Sequence, residues 1–291
     1  MTTAPEIITP PVTTYDASGA LDLGALRVLL AHVEPEVDGV FAVGTTGEFP
    51  ALDAAERAAL VRTAADVLGP DRTIAHVGAA SVHEALGHLR AAEDVGVRRF
   101  AAITPYYLTA SDEGVVRYYA TLRAATDGEL YAYVFPDVAC SDVSPELLAV
   151  LAELGLDGVK TSGAASARVD AYRSAAPRLA LWSGNDADLP HVVAAGGRGT
   201  VSGVSGVAPR AFADLRAALA GDDAAAVVRA QAVVQRLVAA LGPSIARLKY
   251  GLDVQGLPGG TTRMPVDPPS DAVKAEIRAA LAAAGQELAA A

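Results

Sequence analysis

Of the 23 basic residues in this 291-residue chain only three are lysines, Lys160, Lys249 and Lys274. Lys249 and Lys274 lie in helical patterns, where a lysine ordinarily occupies a solvated face or lays its stem along apolar surface. Lys160 falls inside a short β-branched run, Gly158-Val159-Lys160-Thr161. A strand in a covered sheet points its side chains into apolar surroundings, and an ammonium is costly there. Burial lowers a lysine pKa, and the neutral amine that results is the nucleophile that carbonyl chemistry needs. A lysine paired with a buried carboxylate would suit the same position, so position alone leaves both readings open.

Other segments with chemical potential follow the ends of similar apolar runs. They are Gly44-Thr45-Thr46-Gly47-Glu48, Tyr106-Tyr107, Tyr133 with Pro136, Thr161-Ser162, Gly184-Asn185-Asp186 and Ser202-Gly203. Taken singly, each has a plainer explanation: a buried tyrosine finds a hydrogen-bond partner in most folds, and Thr-Thr at a strand end can cap a helix. Taken together, hydroxyls gathered around one lysine suit proton transfer during imine chemistry.

The elements that must position these residues alternate along the chain. Runs at 6–15, 39–44, 73–78, 99–104, 130–135, 158–162, 179–183 and 199–203 read as buried strands. The segments between them repeat apolar residues at the helical period. Ser81, Ser111 and Ser144 stand at expected N-caps, Pro145 and Pro209 in first turns, and Gly96, Gly155 and Gly196-Gly197 at helix ends. Eight strands apolar along their whole length, each followed by a helix, predict a parallel sheet covered by helices. The count is that of a closed (β/α)8 TIM barrel, whose active site lies at the C-terminal ends of the strands. An open doubly wound sheet is the competing architecture. The strand pattern stops near residue 221, so 1–221 is expected to form the barrel and 222–291 a C-terminal helical appendage.

Composition narrows the function. The net charge of −11 opposes binding to nucleic acid or an anionic membrane. The single cysteine, Cys140, excludes an internal disulfide framework and agrees with a cytoplasmic location. The opening MTTAPEIITPP lacks the basic and apolar regions of a secretory leader. No stretch of 18 residues is free of charges or breakers, so the chain is expected to be a soluble protein.

The ordered motifs resemble the pyruvate-dependent class I aldolases typified by dihydrodipicolinate synthase and N-acetylneuraminate lyase. GTTGEFPALDAAER at 44–57 resembles that family's glycine-rich carboxylate-binding loop and its helix. TPYY at 104–107, Tyr133 with Pro136, GVK at 158–160, SGNDA at 183–187 and GGRGTVSGVSGVAPR at 196–210 match in order, as does Arg263-Met264-Pro265. The resemblance covers nearly the whole chain and implies a TIM barrel assembled as a homotetramer, a dimer of dimers. It implies Lys160 as the Schiff-base lysine, Tyr133 as the proton shuttle, and Thr45 and Tyr107 as its relay, with Tyr107 reaching a neighbouring subunit's site. Thr46 and nearby amides would hold a 2-oxo acid carboxylate. Gly44, Gly47, Ser162, Gly184, Asp186, Ser202 and Val138 would line the rest of the substrate site. The implied partners are a small 2-oxo acid and an aldehyde, and the covalent lysine imine would need no metal or organic cofactor.

Departures from the family pattern bear on the substrate. Synthases making the lysine precursor carry an arginine where this chain has Val138, which removes the cationic anchor for an aldehyde bearing a carboxylate. Neuraminate lyases carry an acidic pair at Asp186-Ala187, and Gly206 replaces a common asparagine. A 2-keto-3-deoxy sugar acid or an aryl adduct of pyruvate remains. The alternatives are the synthase itself, a 2-oxo acid dehydratase or hydratase-aldolase, and a silent 2-oxo acid-binding barrel. His83-Glu84 with His88 misses the zinc-helix spacing by one residue and reads as helix surface, because positions five apart on a helix diverge. Cys140 has no histidine placed near it, the glycines at 196–206 read as strand-eight turns rather than a phosphate loop, and Trp182 reads as core.

Overall fold

The computed structural model describes residues 4–221 and 223–290. Residues 1–3, Asp222, at the expected domain boundary, and Ala291 lie outside the described residues. Strands β1 (Glu6–Thr9), β2 (Gly39–Ala42), β3 (Thr73–His76), β4 (Arg99–Ile103), β5 (Glu129–Val134), β6 (Gly158–Thr161), β7 (Ala180–Ser183) and β8 (Gly199–Val201) form a closed parallel barrel in chain order. Closure of β8 on β1 rules out the open sheet. β1 is shorter than its apolar run because Pro10 and Pro11 follow Thr9, and proline has no N–H to offer the ladder.

Nearly every strand residue is buried, which is why these strands show no polar alternation. Glycine opens three of them. A Cβ on Gly39 would lie 2.6 Å from the Arg72 carbonyl oxygen, one on Gly158 2.7 Å from that of Ala180, and one on Gly199 2.0 Å from that of Glu6. The helices start where their caps predict: Ser81, Ser111 and Ser144 each accept a backbone N–H of the first turn. Asp53 and Glu56 close a capping box on helix Ala54–Leu68.

The strands tilt as they must in a closed barrel, so a row of paired residues descends around it. Ile103, Tyr133, Lys160, Trp182, Gly199 and Glu6 are consecutive partners in that row. Paired residues face the same side of the sheet, so Tyr133 and Lys160 point together into the barrel near its C-terminal end. Trp182 and Glu6 meet near the opposite end, where the indole N–H donates to the Glu6 carboxylate at 3.1 Å.

Helices Ala224–Leu241, Ile245–Val254 and Asp271–Ala290 pack against one another, and Ala224–Leu241 packs on Pro209–Ala220 of the barrel. Ala224–Leu241 is long and apolar enough to cross a membrane by length and composition alone. It carries Arg229 and Arg236 and lies between helices Pro209–Ala220 and Asp271–Ala290.

Candidate active site

A cavity of about 740 Å³ opens at the C-terminal ends of the strands, and Lys160, Tyr133, Thr45, Thr46, Ser162, Gly184, Asp186 and Val138 all line it. Lys160 is 7% exposed. Its ammonium nitrogen lies 4.1 Å from the centre of the Tyr133 ring and donates to the hydroxyl of Ser162, just past the end of β6. A cation over an aromatic face is favourable, most of all where water is excluded. The Tyr133 hydroxyl is 2.9 Å from Oγ1 of Thr45. Phe41 and His76 meet the Tyr133 ring edge-on at 5.6 and 5.9 Å and fix its orientation.

On the side of β7, glycine rather than a side chain stands beside the lysine. A Cβ on Gly184 would lie 3.4 Å from the Lys160 nitrogen and 2.8 Å from Oγ of Ser162. On the far side, Asp186 accepts from Thr200 at 2.9 Å and Ser202 at 2.6 Å. Burial pushes the Asp186 carboxyl up to about 6, against the opposing pull of the two hydroxyls and of Lys160. Gln231, from helix Ala224–Leu241, donates to the Asp186 carbonyl at 3.1 Å.

Four of the expected site residues lie elsewhere. Gly44 and Gly47 do not line the cavity: a Cβ on Gly44 would strike the Phe41 ring at 2.8 Å, and one on Gly47 would lie 3.3 Å from the Pro11 carbonyl oxygen. These glycines let the turn carrying Thr45 and Thr46 pack close. Ser202 is spent on Asp186 and is set behind it. Tyr107 is 86% exposed at φ 78° and is not brought to Thr45 or Tyr133 within its own chain. Its neighbour Tyr106 turns inward and packs on Phe49 with ring centres 5.5 Å apart.

Two other expectations are corrected. Lys249 is not on a solvated helix face; it is 2% exposed and 2.8 Å from a carboxylate oxygen of buried Glu48. His88 is not on the helix surface, since its ring is buried near Arg57, and burial first and that charge second pull it down to about 4. The C-terminal helices pack on the barrel as expected, and Val238 and Leu248 from them with Gly242 and Pro243 between them form one wall of the cavity. Gly242-Pro243 is legible in the sequence only as a helix separator. Asn185, Phe135 and Asp137 also line the cavity, beside motif residues already singled out. Cys140 is exposed, at φ 58°.

Among the described lining residues Lys160 is the one cation, in a cavity that Asp137 and Asp186 also line. The arrangement offers an amine nucleophile beside a tyrosine–threonine hydroxyl pair, all opening on one cavity.

The sequence profile of the dihydrodipicolinate synthetase family matches residues 4–284. A 4-hydroxy-tetrahydrodipicolinate synthase of Anaeromyxobacter dehalogenans is 33% identical over 288 residues, covering 96% of this chain and 97% of that protein. A DapA-like lyase of Halobacterium salinarum is 33% identical over 284 residues, covering 96% and 93%. The solved 4-hydroxy-tetrahydrodipicolinate synthase of Methylacidiphilum fumariolicum superposes with a TM-score of 0.91 at 26% identity, covering 99% of this chain and 98% of that one. Matched from end to end in sequence and in fold, the chain belongs to the dihydrodipicolinate synthetase family, as one of its pyruvate-dependent, Schiff-base-forming lyases and aldolases.

Proposed function

We propose that Lys160 forms the imine with the 2-oxo group and that the enzyme cleaves, or in reverse forms, the C3–C4 bond of a 2-keto-3-deoxy acid whose tail bears no carboxylate. The amine adds to the ketone, and loss of water leaves the protonated imine. The hydroxyl on C4 gives up its proton to the Tyr133 oxygen while the C3–C4 electron pair moves into the imine, releasing an aldehyde and leaving an enamine. Protonation at C3 and hydrolysis by water return pyruvate and free Lys160. Thr45 passes protons to and from Tyr133, and Thr46 with its neighbouring amides holds the pyruvate carboxylate, a task that backbone N–H groups perform without an arginine.

The observation that carries the substrate reading is the charge of the cavity. Lys160 is its one cation among the described residues, and it is consumed in the imine. The outer wall is Val204, Val238, Pro243 and Leu248, with Val138 where an anion anchor would stand. Asn185, Asp137 and Ser166 remain to accept or donate hydrogen bonds to tail hydroxyls. A carboxylate on the aldehyde would enter without the charge-assisted contact that an arginine supplies.

The relatives named 4-hydroxy-tetrahydrodipicolinate synthase favour a second reading, condensation of pyruvate with aspartate semialdehyde. Comparison of kcat/KM separates the two. We expect the semialdehyde to be used at least about tenfold less well than 2-keto-3-deoxy sugar acids or aryl adducts are cleaved, a difference of 1.4 kcal/mol in transition-state binding. Efficient condensation would assign the synthase reaction instead, and release of water without an aldehyde would assign a dehydratase. Assembly as a homotetramer, a dimer of dimers, belongs to the same reading, with exposed Tyr107 and Leu108 facing another copy.

A further inference from the structure

The turn that carries Thr45 and Thr46 ends in a residue that the chemistry above does not use. Glu48 is wholly buried and adopts the left-handed conformation at φ 55°, which disfavours a side-chain-bearing residue. One carboxylate oxygen accepts the backbone N–H groups of Arg263 and Met264, each at 2.8 Å. The other lies 2.8 Å from the Lys249 ammonium. Lys249 spends its remaining donors on the carbonyls of Thr13, at 2.8 Å, and Thr261. Thr13 in turn donates its hydroxyl to the Gly47 carbonyl at 2.6 Å. Every hydrogen bond in this set ends on the Thr45–Glu48 turn or on a segment that holds it.

The network crosses the chain from end to end. It joins the segment after β1, the turn after β2, helix Ile245–Val254 and the loop before helix Asp271–Ala290. Arg263 strengthens the seam through a two-pronged contact with Glu56 at 2.7 and 2.8 Å, and its guanidinium lies 4.4 Å over the Tyr15 ring. Leu248, next to Lys249, reaches the cavity: a Cβ on Gly203 would meet Leu248 at 3.0 Å and Oγ1 of Thr46 at 3.5 Å, so the two flank the same point.

A buried ion pair repays its desolvation poorly as a source of stability, and a strained residue persists only where its surroundings over-determine it. We infer that Lys249 is a positioning residue of the reaction: through Glu48 it fixes the Thr45–Glu48 turn, and so sets where the 2-oxo acid carboxylate and the Thr45 hydroxyl stand relative to the strand-held Tyr133 and Lys160. This rests on the assignment of that turn to the carboxylate and the proton relay under the proposed function. The C-terminal helices are therefore part of the catalytic apparatus, acting from outside the barrel.

Either single neutral substitution would strand a buried charge, so the test is the double variant Glu48→Gln/Lys249→Gln, which is neutral and keeps an amide at each position. Two quantities are measured on folded protein: the pyruvate concentration giving half-maximal borohydride trapping, and amide exchange along the chain. Misplacing a binding group by a fraction of its contact distance is costly, so half-saturation should rise about tenfold or more while exchange quickens in 44–49 and not in the barrel strands. Unchanged half-saturation would overturn the inference. So would exchange that quickens throughout the strands, which would mark a role in stability alone. If wild type itself is not trapped by pyruvate, the proposed function fails, and exchange at 44–49 decides the turn-setting role by itself: local quickening upholds it and no change overturns it.

Discussion

Tyr133 and Lys160 are register partners on neighbouring strands, so each is held by its own backbone and neither depends on a loop. That rigidity makes the residue-level predictions sharp. Borohydride reduction with pyruvate should add one three-carbon unit to the peptide containing Lys160, and Lys160→Ala should take up none; a labelled Ala variant would move the imine to another amine. Tyr133→Phe keeps the ring beneath the ammonium and loses the hydroxyl shared with Thr45. Turnover should fall by roughly 10²–10⁴, the range for a positioned proton-transfer group, with the unfolding midpoint little changed. Normal turnover would leave Tyr133 a packing residue. Asp186 gives a pH signature. Its native carboxyl, at about 6, keeps a proton that the unfolded chain, at 3.8, has already lost. The native state is then the better proton binder between those values, and stability falls as pH rises through the window. A difference of that size is roughly 3 kcal/mol. Asp186→Asn should flatten the slope in urea unfolding between about pH 4 and 7, and a slope equal to wild type would show that the carboxyl titrates normally.

At the scale of elements, glycine has two opposite uses here. Gly199 opens β8 where the barrel closes, with the Glu6 backbone in the space a Cβ would fill. Gly199→Ala should prevent β8 from pairing with β1, seen as loss of soluble folded protein or a greatly lowered unfolding midpoint. Gly87 lies on the exposed side of helix Val82–Glu93 with nothing within 4 Å of a Cβ. Gly87→Ala should therefore stabilise by about 0.5–1 kcal/mol through helix propensity. Chemical denaturation of the pair checks both, and a stabilised Gly199→Ala would refute the closure argument.

For the molecule as a whole, the proposal of assembly turns on the segment after β4. Tyr107 and Leu108 are both largely exposed, and Tyr107 is held in the left-handed region at φ 78°. An aromatic residue projected outward in a disfavoured conformation is placed to meet another copy of the chain. Sedimentation at micromolar concentration should give a mass well above the 29.6 kDa of one chain. Tyr107→Ala should lower activity more than unfolding stability, and a fully active monomer would show that each chain completes its own site.

The sequence by itself determined the elements and the central lysine. Apolar runs, serine caps and helix-ending glycines are short-range signals, set by backbone sterics and by the partners that a few neighbouring residues supply, so they are legible along the chain. Lys160 stood out because a strand in a covered barrel has no inexpensive place for an ammonium, and Thr45, Tyr133 and Ser162 because they stand at or near strand ends. Which of these side chains meet was decided only by closure. Strand tilt brings Tyr133 beneath Lys160 while carrying Trp182 to the other end of the barrel. Packing turned Gly44, Gly47 and Ser202 into supports rather than lining, and sent Tyr107 outward. Most of all, tertiary structure buried Lys249 against Glu48 and laid Val238 and Leu248 along the cavity. Helical period places a residue on a face, but whether that face meets water, a carboxylate or a substrate depends on segments far away in sequence that come to rest against it.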